Sequence, residues 1–293
     1  MGLYEKLMAL SLSIVIPAYN EATRIGKSLH TILDYLGEQP GEGELIVVDD
    51  GSRDETAKVS EEIFASRAAS GRVEARVIRV EPNRGKGHAV RVGLLAVRAP
   101  VALFSDADLS TPITETPKLV EPIRAGQYDI VFGSRALDRK LIGVHQPWRR
   151  EQSGRVFNRV MRALTGLPFW DTQCGFKAFR MDVCRPVIEG ALIDRFGFDV
   201  ELLHVAHRAG LRMFERAVRW DDVEGSKVSF RTGLDGFGEL RLIRRNWKQG
   251  RYDEAIRRAR EIASHADARA PLHAPDAASL ESDVSPELAG QRI

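Results

Sequence analysis

The sequence predicts a single α/β domain built on a mostly parallel, Rossmann-like sheet with helices on both faces. Two observations support this prediction. Short apolar runs alternate with amphipathic segments over the first half of the chain, and polar or acidic residues directly follow several of those runs. A chain of 293 residues with 43% hydrophobic composition can bury one large core. Because open α/β sheets bind ligands at the carboxyl ends of their strands, the residues after each run are the first site candidates.

Short apolar runs mark five strands in the first half of the chain. They lie at residues 12–16, 45–48, 73–80, 101–105 and 128–132. Amphipathic helices are predicted between them, and the first of these stops at Gly37. In the second half, helices are predicted near residues 149–164, 182–189 and 198–209, with strands at residues 175–179 and 213–220. Strands that alternate with helices in this way pair in parallel.

Two aspartates, Asp106 and Asp108, follow the buried fourth strand in the sequence FSDAD. They should emerge at the carboxyl edge of the sheet. Two hard oxygen ligands suit Mg²⁺ or Mn²⁺. Such a metal usually shares its coordination sphere with substrate phosphates, which favours a phosphorylated substrate. An Asp-x-Asp pair alone is a weak signal, because carboxylates are common at exposed strand ends.

Further motifs accompany this pair in a fixed order. They read LSIVIPAYNE, VVDDGSRDET, NRGKGHAVRVG and FSDADLSTP, followed by GSR, DTQCGFKAFR, FGFDVELL and VEGSKVSF. Together they resemble the family-2 glycosyltransferases of GT-A fold. The later motifs are similar to the branch that includes the dolichyl-phosphate β-glucosyltransferases and related polyprenyl-phosphate sugar transferases. The resemblance covers residues 12 to 232, and several ordered motifs are far more specific than one.

The resemblance implies an inverting transfer of a sugar from a nucleoside diphosphate, with UDP-glucose as the expected donor and a polyprenyl phosphate as the acceptor. A metal held by Asp106 and Asp108 would neutralise charge that develops on the leaving diphosphate. A phosphate monoester has a second pKa of about 6, so this acceptor arrives ionised and needs no strong base. Cations that bring the two anions together are needed instead.

The resemblance also implies a nucleotide site. Its members would be Pro17, Tyr19, Glu21, Asp50, Lys86, Asp106, Ala107, Ser226 and Lys227. Asp50 matches the carboxylate that approaches the uracil and ribose. Lys86 lies in a Gly-flanked loop at a helix start, which favours anions, although a tight turn with a solvated lysine explains the same pattern. Ser226 and Lys227 match a segment that closes over the site and contacts diphosphate or acceptor.

The acceptor phosphate would bind to cations after the fifth strand. Arg135 belongs to the GSR motif, and Arg149 and Ser153 sit four residues apart on one face of the next helix. The expected catalytic residues are Asp108, Arg135 and Asp199. Asp199 falls where some family members have a catalytic carboxylate, and it would act as a base mainly for a hydroxyl acceptor. An acid stabilised by a helix N-terminus explains it nearly as well.

Several alternatives remain open at this point. Mannose or N-acetylglucosamine could replace glucose, because sugar specificity depends on a few pocket contacts that the motifs do not encode. A soluble hydroxyl could replace the lipid phosphate. A sugar nucleotidyltransferase would also combine this sheet with bound Mg²⁺, but the chain has PAYNE where that class has a glycine-rich basic loop. A non-catalytic membrane-associated protein is disfavoured by the presence of Asp50, Asp106 and Asp108.

Charge and cysteine content set further limits. A net charge of +2 and a pI near 8.6 do not suggest nucleic acid as the main partner. Cys174 and Cys184 are too few for a disulfide framework, and no secretory signal is recognised before the first strand. We therefore expect a cytoplasmic protein. Because no window of the sequence reaches the ~18 apolar residues that a spanning helix needs, any binding to a membrane surface is expected to be peripheral. The oligomeric state is not predicted.

The chain is expected to divide into a catalytic domain at residues 1–232, an amphipathic basic helical region at 233–263 and a disordered tail at 264–293. The helical region has an apolar stripe formed by Leu234, Phe237, Leu240, Ile243 and Trp247. Beside the stripe lie the cations Arg241, Arg244, Arg245 and Lys248. Such a helix either lies in the headgroup region of a membrane or packs on the catalytic domain.

Overall fold

The computed structural model of the chain describes residues 10–67, 71–144, 158–223 and 230–267. The strands within these ranges are β1 (Leu10–Ala18), β2 (Glu42–Asp49), β3 (Val73–Arg79), β4 (Val101–Ser105), β5 (Ile130–Ser134), β6 (Ile142–Val144), β7 (Phe176–Arg180), β8 (Met213–Ala217) and β9 (Trp220–Asp221). The five strands predicted in the first half of the chain are all present. Their observed limits fall within three residues of the predicted ones.

Helices connect most of these strands. They are α1 (Ile25–Glu38), α2 (Thr56–Arg67), α3 (Lys86–Ala96), α4 (Thr116–Arg124), α5 (158–165), α6 (Met181–Glu189), α7 (Phe198–Ala209), α8 (Phe230–Lys248) and α9 (Asp253–Asp267). Short 3₁₀ turns occupy Ile113–Glu115 and Arg139–Leu141. None of the helices in the described ranges is long and apolar enough to cross a membrane.

Seven strands form one sheet in the order β3-β2-β1-β4-β7-β5-β8. All neighbours in it pair in parallel except β7, which is antiparallel to both β4 and β5. The carboxyl ends of the parallel strands therefore meet the amino end of β7 at one edge. Strands β6 and β9 form a separate two-stranded sheet.

The central strands are apolar on both faces, as expected for a parallel sheet covered on each side. Val15, Ile46 and Phe104 belong to one hydrophobic cluster, while Ile14 and Leu103 belong to the cluster on the opposite face. This alternation follows from the two-residue period of a strand. The predicted fold class, a mostly parallel sheet flanked by helices, is confirmed.

The C-terminal helices pack into the same core. Leu240 and Ile243 are almost fully buried in a cluster that also contains residues of α6 and α7, and Trp247 packs against it. Leu240, Ile243 and Trp247 of the apolar stripe therefore pack on the catalytic domain, as the second of the two explanations predicts. The side chains of Leu234 and Phe237 lie outside the described residues.

A buried hydrogen-bond network connects the C-terminal helices α8 and α9 to α7. The carboxylate of Glu201 accepts hydrogen bonds from the Tyr252 hydroxyl at 2.6 Å and from the backbone N–H groups of Leu192 and Ile193. Asn246 in turn donates to the Tyr252 hydroxyl at 3.2 Å. Tyr252 is fully buried between α8 and α9, so these helices are an integral part of the domain.

The limits expected for the helical region, 233–263, are corrected by the structure. The two helices span Phe230–Lys248 and Asp253–Asp267, so residues 264–267 of the expected tail are helical. Ala263 and Ala266 pack against the core. Small side chains can pack closely on α6 and α7, so the scarcity of bulky apolar residues did not indicate disorder here. The predicted strand at 213–220 is also divided, into β8 and β9.

Candidate active site

The loops that follow β1 and β2 are joined by hydrogen bonds at the carboxyl edge of the sheet. The backbone N–H of Asn20 donates to Ser52 Oγ at 2.8 Å, and the N–H of Arg53 donates to Asn20 Oδ1 at 2.7 Å. The N–H of Glu21 donates to Thr56 Oγ1 at 2.7 Å. These contacts hold the two loops together at this edge of the sheet.

The residues expected to bind the nucleotide from the first loop differ in accessibility. Pro17 is buried within β1, whereas Tyr19 has 37% of its surface exposed at the edge of the sheet. The carboxylate of Glu21 is nearly buried and forms an ion pair with Arg24. Of these three predicted residues, Tyr19 therefore has the side chain that is most accessible to a ligand.

Asp50 is buried, and its carboxylate is occupied by the loop that precedes α3. It accepts hydrogen bonds from Asn83 Nδ2 at 2.8 Å and from the backbone N–H groups of Arg84 and Gly85 at 3.1 and 2.7 Å. Asp50 thereby fixes the loop that carries Lys86. Its expected contact with uracil and ribose stays a prediction.

Lys86 begins α3, and its side chain contacts the Asp-x-Asp motif. Its Nζ lies 2.5 Å from Asp106 Oδ1. Burial disfavours the charge of Lys86, but Asp106 and Asp199 outweigh that effect and raise the pKa of the ammonium. The alternative explanation, a solvated lysine in a tight turn, does not describe this side chain.

Asp106, Ala107 and Asp108 lie directly after β4. The backbone N–H of Asp106 donates to Gly175 O at 3.1 Å, and Ala107 is buried in the core. Asp108 Oδ1 accepts a hydrogen bond from the N–H of Ser110 at 3.0 Å. A Cβ at Gly175 would collide with the Asp106 carboxylate, so glycine provides the space in which this carboxylate sits.

The two aspartates fit a hard divalent cation. Both side chains are half-buried and present only oxygen atoms, which suits Mg²⁺ or Mn²⁺. Within the part of the chain that the structure describes, no group of three or more His, Cys, Asp or Glu residues could hold a metal. Asp106 and Asp108 would thus supply two ligands, with donor phosphates and water as further ligands.

Arg135 is held rigidly by Asp171. Its Nε and Nη2 donate to the two carboxylate oxygens at 2.7 and 2.8 Å, and its backbone N–H donates to Oδ2 at 3.0 Å. Its guanidinium also lies 5.6 Å from the centre of the Trp220 ring. Burial opposes ionisation of Asp171, but Arg135 keeps the pKa of Asp171 below its usual value. A fixed guanidinium suits recognition of a phosphate.

Asp199 is ion-paired with a lysine that the sequence did not single out. Lys177 Nζ lies 2.6 Å from Asp199 Oδ1 and donates to Cys174 O at 2.5 Å. Burial raises the pKa of Asp199, against the opposing effect of Lys177 and Lys86. A lysine within the apolar strand GFKAF is unusual and could have identified Lys177 as a site residue. Asp171 could likewise have been selected from the motif DTQCGFKAFR.

The remaining predicted site residues cannot be compared with the structure. Arg149, Ser153, Ser226 and Lys227 all lie outside the described residues. Their roles in binding acceptor or diphosphate therefore stay predictions.

The sheet order and the aspartate pair at its edge define a glycosyltransferase of GT-A fold. The chain belongs to glycosyl transferase family 2, whose family model matches residues 13–187. It is 36% identical to a dolichyl-phosphate beta-glucosyltransferase of Drosophila melanogaster over 75% of this chain and 70% of the relative. The human protein of the same name is 34% identical over 82% of this chain and 76% of its own length.

Solved structures show the same fold at low sequence identity. Glucosyl-3-phosphoglycerate synthase from Mycobacterium tuberculosis, in complex with Mn²⁺, UDP-glucose and phosphoglyceric acid, superposes with a TM-score of 0.57 at 20% identity. The match covers 82% of this chain and 81% of that one. Mannosyl-3-phosphoglycerate synthase from Rubrobacter xylanophilus gives a TM-score of 0.53 at 17% identity, over 84% of this chain and 77% of that one.

Proposed function

We propose that the protein transfers glucose from UDP-glucose to a polyprenyl (dolichyl-type) phosphate, with inversion at the anomeric carbon and with a divalent metal. The observation that carries this proposal is the likeness, over more than two thirds of both chains, to relatives named dolichyl-phosphate beta-glucosyltransferase. The site supports it, because Asp106 and Asp108 stand at the sheet edge with Lys86 and Arg135 close enough to interact with Asp106 electrostatically.

A metal bound by Asp106 and Asp108 would neutralise charge on the departing diphosphate. The chain's own residues account for the rest of the mechanism. Arg135, fixed by Asp171, offers a rigid cation to an anionic acceptor. Asp199, the carboxylate expected to act as a base, is paired with Lys177 in the interior. A nucleophile that arrives ionised does not need such a base, which favours a phosphate acceptor over a hydroxyl.

The identities of sugar and nucleotide rest on the comparisons. The relatives are named as glucosyltransferases, and the Mycobacterium tuberculosis structure contains UDP-glucose and Mn²⁺. These likenesses support UDP-glucose as donor and Mn²⁺ or Mg²⁺ as the cation here.

A lipid acceptor brings the protein to a membrane surface, and α8 offers a suitable face. Arg241, Arg244, Arg245 and Lys248 are exposed, whereas the neighbouring Leu240 and Ile243 are buried. We propose peripheral binding to the cytoplasmic face of a membrane by electrostatic attraction. Each basic residue near an anionic surface contributes roughly 1 kcal/mol.

The central experiment incubates the protein with radiolabelled UDP-glucose, Mg²⁺ or Mn²⁺, and polyprenyl phosphate. We expect label in the organic phase and none there with EDTA. The matched control acceptor is the corresponding polyprenol, which has the same chain and a hydroxyl in place of the phosphate. Transfer to polyprenol or to soluble sugars alone would contradict the phosphate acceptor, and synthesis of UDP-glucose from UTP and glucose 1-phosphate would indicate a nucleotidyltransferase. Labelled GDP-mannose and UDP-N-acetylglucosamine test the sugar.

Membrane binding is tested by co-sedimentation with anionic vesicles at low and high salt. The variant carries serine at positions 241, 244, 245 and 248, and the control carries serine at the exposed arginines Arg53 and Arg67, far along the sequence from α8. We expect wild type and control to sediment at low salt and the α8 variant to stay in solution. Equal sedimentation of all three proteins would contradict the proposed surface.

A further inference from the structure

The Lys86 ammonium contacts the Asp106 carboxylate, which the proposed metal would also bind. Its ammonium lies 2.5 Å from Asp106 Oδ1, and the side chain is one quarter exposed. No described residue forms an ion pair with Asp108, the second aspartate of the motif. Thus one of the two candidate metal ligands is already neutralised by a cation that belongs to the chain.

The backbone of Lys86 is held in place on both sides. Gly85 has φ of +119°, and a Cβ there would collide with Asp194 O. A Cβ at Gly87 would meet Phe198 Cβ and backbone oxygens of the same segment. The Asp50 carboxylate also accepts hydrogen bonds from the backbone N–H groups of Arg84 and Gly85, the two residues before Lys86. The main chain at Lys86 is therefore fixed, and movement of this residue is confined to its flexible side chain.

A second carboxylate stands close to the same ammonium. Asp199 interacts electrostatically with Lys86, and Asp199 is itself fixed by Lys177. The ammonium groups of Lys86 and Lys177 lie 5.5 and 5.6 Å from the centre of the Phe104 ring. If the Lys86 ammonium leaves Asp106, it still lies near the Asp199 carboxylate and the Phe104 ring. Its release therefore does not produce an unpaired cation.

We propose that Lys86 is an internal counter-ion that competes with the divalent metal for Asp106, and that metal entry frees its ammonium to contact the donor diphosphate. This inference rests on the proposed metal-dependent transfer. It follows that Lys86 weakens metal binding to the nucleotide-free protein while strengthening nucleotide binding to the metal-loaded protein. Lys86 thereby couples the two binding events.

The test measures Mn²⁺ binding to nucleotide-free protein by the electron paramagnetic resonance signal of free Mn²⁺. Lys86→Met removes the charge and keeps the length of the side chain. Because a competing cation in contact with the ligand is lost, we expect Mn²⁺ to bind at least about threefold more tightly. Lys86→Arg keeps the charge and should resemble wild type. Lys58→Met, which removes an exposed lysine paired with Glu55, is the matched control.

A double-mutant cycle shows whether the effect passes through Asp106. In the Asp106→Asn background, Lys86→Met should no longer tighten Mn²⁺ binding. In the same proteins, UDP binding with Mn²⁺ present should be weaker by about tenfold in Lys86→Met, because a charge-assisted contact to the diphosphate is lost. Circular dichroism checks that each variant is folded.

Unchanged or weaker Mn²⁺ binding in folded Lys86→Met would overturn the proposal, and so would the absence of Mn²⁺ binding in both wild type and this variant. A gain that persists in the Asp106→Asn background would overturn it as well. These outcomes are separable from a failure of the proposed function. If wild type still transfers glucose to polyprenyl phosphate only with metal, the function stands and the competition alone is wrong. If transfer needs no metal, the proposed function fails first.

Discussion

Lys177 and Asp199 form an ion pair in the interior: Lys177 Nζ lies 2.6 Å from Asp199 Oδ1, and the side chains are 0% and 5% exposed. Among the described residues, Lys177 is the only lysine or arginine that is buried. Charges are tolerated in such a position when they are paired and hydrogen-bonded, and Cys174 O completes the environment of Lys177. Asp199, the expected base, is thus one partner of a buried ion pair.

Lys177→Met should therefore lower the free energy of unfolding strongly, because it removes the ion-pair partner of the buried Asp199 carboxylate. Removing one partner of a buried pair costs about 3–5 kcal/mol. Urea denaturation measures the loss. The double variant Lys177→Met with Asp199→Leu removes both charges and should recover most of the stability. Equal stability of wild type and Lys177→Met would show that the pair does not matter to the fold.

Gly175→Ala should impair transfer without unfolding the protein. The added Cβ would collide with the Asp106 carboxylate and push it away from its position. We expect a loss of at least tenfold in kcat, since misplacement of a reacting group by about 1 Å can cost a hundredfold. The control is Gly37→Ala in α1, where a Cβ meets nothing within 4 Å. Full activity of Gly175→Ala would mean that Asp106 need not occupy the observed position.

Asp108→Ala should abolish metal-dependent transfer and leave the thermal unfolding temperature nearly unchanged, because this half-buried carboxylate is not part of the core. Loss of a metal ligand should also remove the effect of Mn²⁺ on UDP binding, which calorimetry can measure. Full activity of the variant in the presence of EDTA would refute a metal held by this motif.

The guanidinium of Arg135 should bind the acceptor phosphate. Replacing Arg135 by Gln together with Asp171→Asn avoids leaving Asp171 buried and unpaired. The charge-assisted hydrogen bonds that are lost are worth ~1.5–3 kcal/mol each, so the KM for polyprenyl phosphate should rise about tenfold or more. Donor affinity should stay the same. Asp171→Asn alone, which keeps the cation, serves as control, and weaker UDP binding without a change in acceptor KM would assign Arg135 to the donor.

The stability of the domain should fall with acidification between pH 6.5 and 4 because of His204. Burial, together with electrostatic repulsion from Arg208 and His207, lowers the pKa of His204 to about 4. The unfolded chain takes up a proton on this residue near pH 6.5, whereas the folded chain does not. Stability is thus fully present above pH 6.5 and decreases as the pH falls, by about 3 kcal/mol at most.

This dependence is measured by urea denaturation across that pH range, in wild type and in His204→Gln. The slope should become flatter in His204→Gln and remain unchanged in His30→Gln, which alters an exposed histidine. The same slope in wild type and His204→Gln would rule out His204 as its source.

The sequence was sufficient to predict the five strands of the first half of the chain and the aspartates at the edge of the sheet. Apolar runs such as residues 45–48 identify buried strands by composition alone, and the position of Asp106 and Asp108 after such a run follows from the geometry of parallel sheets. These features are local in the chain.

Other features depend on which distant segments meet. The pairing of Lys177 with Asp199 requires that β7 insert antiparallel between β4 and β5, which no local pattern specifies. The donors to Asp50 come from a loop more than thirty residues away. Periodicity in α8 revealed an apolar face, but periodicity does not show whether a membrane or the protein covers it.

The packing of α8 and α9 has a practical consequence for anyone who produces shortened forms of this enzyme. The family-matched segment ends at residue 187, whereas the hydrophobic core continues to Ala259. A fragment that stops at 187 or at 232 would uncover the apolar surface beneath Ile243, Tyr252 and Ile256, and the one that stops at 232 would also leave Glu201 without its hydroxyl donor. Such fragments should form inclusion bodies on expression, so a useful truncation series begins beyond Asp267.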